Sequence, residues 1–181
     1  MKEKKPYLNL IIRYLILVIV GFFGFNLFYF IFLPLTVYPT FFLLNLFYNP
    51  SLIENTIFVN GIAIEIIGAC IAGSAYSFLL ILNLSVPNIK TKKRIEMILL
   101  SFGIFFAINL IRIFVLSLMN ISDSSWFDFT HKLFWYLGST LFVILIWFLE
   151  VKMFKIKEIP VYSDLKFLYK KSLLNKKKNK K

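Results

Sequence analysis

Between Leu8 and Leu33 the chain carries a single charge, Arg13, and comparably apolar runs return from about Ile66 to Val86, Met97 to Met119 and Lys132 to Leu149. A helix needs roughly 20 apolar residues to cross a bilayer's hydrocarbon core, and each run approaches that length. A water-soluble chain of 181 residues that is 59% hydrophobic and only 17% charged would have too little interior to hide so much apolar surface. The sequence therefore describes an integral membrane protein, all-alpha and polytopic.

Charge then orients it. The net charge of +12 is the kind of excess that can signal nucleic acid, but its placement argues against that partner. Basic residues gather in the N-terminal segment, in Lys90-Thr91-Lys92-Lys93-Arg94 and after Glu150. All three places flank apolar runs, as the positive-inside bias expects of cytoplasmic segments. Both termini are accordingly expected in the cytoplasm. Asn120 to Asp128 holds two acids and no lysine or arginine, as an outer loop should. The first run resembles a signal peptide, but its apolar region is too long and lacks a small-x-small exit. It reads as a retained span, with Arg13 snorkelling to the inner interface.

Pro34 and Pro39 bracket an expected turn, and Phe41 to Tyr48 is too short to cross. Residues 35–48 are expected to form a re-entrant or interfacial segment on the outer side, with their aromatics at headgroup level. Leu52 to Asn60 reads as an outer loop or surface helix. The expected architecture is a compact bundle of about four transmembrane helices plus that segment. Residues 1–169 make one transmembrane catalytic domain, and 170–181 form a disordered basic tail attracted to anionic lipid.

Three residues stand out against this apolar background. Cys70 is the only cysteine, His131 the only histidine, and Arg112 lies inside an apolar run. An arginine inside a span is costly and tends to mark function. Spans bounded by lysines and prolines bring all three near the outer face. One cysteine excludes an internal disulfide and a dithiol redox cycle. One cysteine and one histidine leave a four-ligand zinc site without donors, and nothing in the chain calls for a metal or cofactor. A thiol, an imidazole and a guanidinium instead suit acyl transfer through a thioester. His131 would take the thiol proton and return it to a leaving amine, while Arg112 would favour the thiolate or the tetrahedral oxyanion. Asn109 lies three residues from Arg112, on the same helix face. Cys70, Ser74 and Ser77 share a face with Gly73 beside them, and Glu65 lies just outside. Gly73, Ser74 and Ser77 suit close helix packing at least as well as chemistry.

Ala69-Cys70-Ile71-Ala72-Gly73-Ser74, Asn109-Leu110-Ile111-Arg112-Ile113 and His131 before the last run together resemble the archaeosortases and exosortases, integral membrane cysteine transpeptidases of prokaryotes. The resemblance covers roughly Glu65 to Trp135. It implies Cys70 as nucleophile, Arg112 as stabiliser and His131 as general acid/base, with Asn109, Gly73, Ser74 and Glu65 in support. It further implies exported protein substrates that end in a short motif, a transmembrane helix and a basic cluster. Those would be cut on the outer face and passed to a lipid-linked acceptor. The chain departs from the family in being short and in placing Ile71-Ala72 between the cysteine and the glycine. Three other readings compete: a purely hydrolytic cysteine protease, a non-enzymatic assembly or scaffold protein, and a transporter. The last would spread polar residues through the midplane, where the third run offers only Ser101 and Gly103.

Overall fold

The computed structural model describes residues 4–156, 158, 160 and 162–171. Its first helix, α1, runs unbroken from Lys4 to Asn45. A three-stranded sheet follows: β1 (Ser51–Ile53), β2 (Thr56–Val59) and β3 (Ile62–Glu65). Then come the short α2 (Gly68–Ile71), α3 (Gly73–Ser85) and the long α4 (Thr91–Ile121). Helix α5 (Phe127–Leu133) passes through a π turn (Phe134–Gly138) into α6 (Ser139–Met153), and α7 (Tyr162–Lys171) closes the described chain. Four segments are long and apolar enough to cross a membrane: Asn26–Asn45, Gly68–Ser85, Thr91–Ile121 and Phe127–Met153. The protein is thus an all-alpha, multi-pass membrane bundle, carrying one small sheet.

Two expectations about the first third of the chain are corrected. Residues 35–48 are no separate re-entrant segment: α1 continues through Pro34 and Pro39 to Asn45. Proline removes a backbone donor, but membrane helices tolerate it where side chains and neighbours re-satisfy the backbone. Here the stretch around both prolines is held by packing, with Val37 and Leu44 buried in a core against the sheet and α4. At 1.5 Å per residue, the 42-residue helix is about 63 Å long, roughly twice the hydrocarbon thickness, so it must project. The second correction is Leu52 to Asn60, which forms strands rather than a loop or surface helix. Asn60 (φ 51°) and Gly61 (φ 82°) supply the two left-handed residues of a tight hairpin, the combination that best matches strand twist. Of the expected tail, Lys170 and Lys171 belong to α7, and 172–181 lie outside the described residues.

Two cores divide the molecule along its length. In the bundle, Tyr76 of α3 stacks on Phe32 of α1 at 3.9 Å between centroids and meets Phe105 of α4 edge-on at 4.9 Å. Phe28, Leu79, Val143 and Ile146 complete this cluster. Lipid tails are as apolar as these side chains, so close packing rather than water exclusion holds such helices together. The tightest approach is between α1 and α3: a Cβ added at Gly24 would come within 2.7 Å of the Ser77 hydroxyl. The second core joins Val37 and Leu44 of α1 to Ile57 and Val59 of β2, to Ile66 and Ile71, and to Ile113 of α4. Lipid-exposed sheet edges do not occur in hydrocarbon, which argues for a place outside it for the sheet.

The opposite end is polar and basic. Arg94 donates to the carbonyls of Asn83, Leu84 and Val86 (2.7, 2.9 and 2.8 Å), satisfying the end of α3. Lys93 donates to the carbonyl of Phe154 (2.6 Å). Arg13 of α1 pairs with Asp164 of α7, which also accepts from the Tyr14 hydroxyl (3.1 Å). Arg112 lies 18 residues along α4 from Arg94, about 27 Å of helix. The basic end and the Cys70 region are therefore separated by close to one hydrocarbon thickness.

Candidate functional site

At the sheet end a cavity of about 530 Å³ opens between β3, α2, α4 and the α5–α6 helix. Cys70, Arg112 and His131 all line it, as do Glu65 and Ser74. Residues far apart in sequence, on three different elements, thus face one space. Asn109 and Gly73 do not line it; both stand behind it.

Cys70 sits on the four-residue α2, followed by Ala72 in the left-handed conformation (φ 55°, ψ 45°). That single residue breaks the second span into α2 and α3 and turns Cys70 aside from the axis of α3. A left-handed conformation strains any residue with a Cβ, and strain of this kind persists only where surrounding contacts fix it. The contacts here are explicit. Asn109 donates from Nδ2 to the Cys70 carbonyl at 2.9 Å, and Arg112 donates from a terminal nitrogen to the same oxygen at 3.1 Å. Two α4 side chains therefore satisfy a carbonyl at the end of α2 that the broken helix leaves without an intrahelical donor. The other terminal nitrogen of Arg112 donates to Ser139 Oγ at 3.3 Å, tying α4 to the start of α6. Arg112 is 9% exposed and Asn109 3%. The guanidinium Nε and the Asn109 Oδ1 are buried without a partner among the described residues.

His131 is on α5, stacked on Phe127 (5.5 Å, 19°) and edge-on to Trp135 (5.9 Å, 85°). The π turn that follows matters to the site. At 100° per residue an unbroken helix would set Ser139 about 80° around from His131, whereas the extra residue of one π turn reduces this to about 20°. Ser139 and Thr140 consequently line the same cavity as His131. Gly138 closes the turn, where a Cβ would come within 2.8 Å of the Phe134 ring.

The sequence reading missed Ser139, Thr140 and Asn120 as lining residues. A signal was present, since Ser139-Thr140 is the polar pair interrupting the fourth apolar run; regular helical spacing gave no reason to bring it beneath His131. Ser77 is a packing residue: its hydroxyl donates to the Gly73 carbonyl at 3.1 Å. Among the described residues no cluster of three metal-ligating side chains occurs. The donors that do converge are a free thiol, an imidazole, a guanidinium and hydroxyls, a set suited to nucleophilic and proton-transfer chemistry. The fold and cavity define a multi-pass membrane protein with a largely apolar chamber, carrying a few convergent polar groups, at one end of its bundle. No protein-family profile, no curated protein and no solved structure matches this chain.

Proposed function

We propose that this chain is a membrane cysteine peptidase and transpeptidase of the archaeosortase and exosortase kind. The observation that carries the reading is the meeting of Cys70, Arg112 and His131 on one cavity. In a chain with one cysteine and one histidine, that meeting has few bland explanations. The basic end belongs in the cytoplasm by the positive-inside bias, which turns the cavity toward the outer face. Substrates are exported proteins with a C-terminal motif, a transmembrane helix and a basic cluster.

The Cys70 thiolate attacks the scissile carbonyl carbon, and the tetrahedral oxyanion collapses to a thioester. His131 takes the thiol proton and returns it to the departing amine of the tail. An acceptor amine or hydroxyl on a lipid-linked carrier then attacks the thioester, forming the new bond and releasing the thiol. Arg112 contributes positive charge beside α2, favouring thiolate and oxyanion, while also holding the backbone that carries the nucleophile. A chamber bordered by lipid protects the thioester from water, which favours transfer over hydrolysis.

The test is trapping of a covalent intermediate in cells with a tailed substrate, comparing wild type with C70A, R112A and H131A at equal expression. A thiol-labile adduct that requires Cys70, with processing lost in all three variants, is expected. Unchanged processing in a folded C70A protein would sink the reading and leave a scaffold role in front.

A further inference from the structure

We infer that strand β3 is the substrate-docking edge: an extended peptide, continuing from a membrane-embedded helix, pairs with Ala63 and Glu65 and adds a fourth strand. The inference rests on the peptidase reading of the same cavity and names how its substrate is held.

Strand β3 leaves some of its backbone groups free. The sheet order is β1-β2-β3, so β3 is an edge. Its register against β2 pairs Val59 with Ile62, Phe58 with Ala63, Ile57 with Ile64 and Thr56 with Glu65. Just past the strand, the Ile66 N–H donates to the Asn55 carbonyl at 3.0 Å, and Asn55 Nδ2 donates to the Ile66 carbonyl at 3.1 Å. Hydrogen-bonded pairs alternate along an antiparallel ladder. Counting back from Ile66, Ile64 and Ile62 turn their N–H and C=O groups toward β2. The same groups of Ala63 and Glu65 therefore point outward. The two-residue turn at Asn60-Gly61 requires the same phase, because it is closed by the Val59 and Ile62 pair.

An open edge of this kind is ordinarily a hazard that proteins blunt. Here it is built into the wall of the candidate site: Ala63, Ile64 and Glu65 line the cavity with Cys70, Arg112 and His131. The opposite edge, β1, is three residues long, offers one outward residue by the same count and lines no part of the cavity. The β3 edge leads directly into the site, since the chain passes from Glu65 to Cys70 in five residues. A peptide paired there gains main-chain hydrogen bonds, and alternate side chains enter the cavity, the general mode of recognition by strand addition. Pairing also holds the peptide extended, which presents its carbonyls to the thiol in a fixed order.

The experiment uses the full chain with Cys70→Ala in lipid nanodiscs. The probe is a synthetic peptide with an uncharged extended segment, a leucine–alanine membrane helix and a terminal lysine cluster. Amide exchange at Ala63 and Glu65 is expected to slow at least tenfold with the peptide present, while Ile62 and Ile64, already in the ladder, stay unchanged. The same peptide N-methylated at alternate residues of its extended segment should give no protection. Ala63→Pro, which deletes only an outward N–H, should weaken peptide binding at least fivefold. Absence of slowing at Ala63 and Glu65, or equal protection by the methylated peptide, overturns the proposal. If Ala63→Pro fails to fold, the exchange comparison decides alone. Cys70-dependent processing without protection sinks strand pairing only. Protection with processing that ignores Cys70 sinks the peptidase reading and keeps the docking edge.

Discussion

Asn109 and Arg112 close on one atom, the carbonyl oxygen of Cys70, at 2.9 and 3.1 Å. Their spacing of three on α4 puts both donors on one face, and the second guanidinium arm reaches Ser139. Arg112 is thus first a brace between three elements. A lysine, a point charge on a flexible stem, cannot reproduce that planar fork. Arg112→Lys should lower substrate processing at least tenfold with the charge retained. Asn109→Ala should destabilise by about 1–3 kcal/mol, the usual range when a buried polar group loses a partner. Thermal unfolding in detergent, run beside the processing assay, checks both. Wild-type processing by Arg112→Lys would show that charge alone matters.

The break at Ala72 makes a second prediction. Alanine sits at φ 55°, where glycine has no steric penalty. Ala72→Gly should raise stability by about 0.5–1 kcal/mol, measured by denaturant titration. The gain should come without any change in the carbonyl bonds to Asn109 and Arg112. A loss of stability would mean that the alanine methyl, 7% exposed in the bundle core, outweighs the backbone strain.

Gly61 sits at φ 82° with open space around its α-carbon, so conformation alone restricts it. Gly61→Val should destabilise the sheet by about 1–2 kcal/mol, since a β-branched side chain is a strong outlier at positive φ. It should also loosen β3, which reads out as faster amide exchange at Ile62 and Ile64. Exchange at wild-type rates would show that the turn does not set the register.

Legibility in the sequence followed physical range. The last three spans were readable because hydrocarbon selects composition over a whole run, whereas the first reads in the sequence as Leu8 to Leu33 and the segment of α1 long and apolar enough to cross is Asn26–Asn45. What stayed hidden depended on one or two residues. Pro34 and Pro39 read as a boundary because proline breaks helices in water, yet the packing of Val37 and Leu44 in the second core carries α1 through them. The Asn60-Gly61 turn was written in the sequence, but the mixed polar and apolar stretch from Leu52 to Asn60 read as an outer loop or surface helix. The π turn left no mark in periodicity, so Ser139 and Thr140 were not assigned to the site. Arg112 was legible as an unusual residue, while its bond to a backbone carbonyl depended on the break at Ala72.

The buried polar group at the basic end makes a last prediction. Glu150 is fully buried and accepts from Asn83 Nδ2 at 3.1 Å, and Asn83 is also within 3.5 Å of Ser101 Oγ. Glu150 Oε1 and the side-chain amide oxygen of Asn83, Oδ1, have no partner among the described residues. A carboxyl in such surroundings is expensive unless paired, and replacing it by a neutral isostere removes that cost while supplying an amide donor for the orphaned oxygen. Glu150→Gln should therefore hold or raise stability, whereas Asn83→Ala, which strips the carboxyl of its donor, should lower it by about 1–3 kcal/mol. Asn83 lies 13 residues from Cys70 along the second span, about 20 Å of helix, and neither residue lines the cavity, so processing per folded molecule should be unchanged. A fall in processing with Glu150→Gln at full stability would instead show that this buried acid communicates with the cavity.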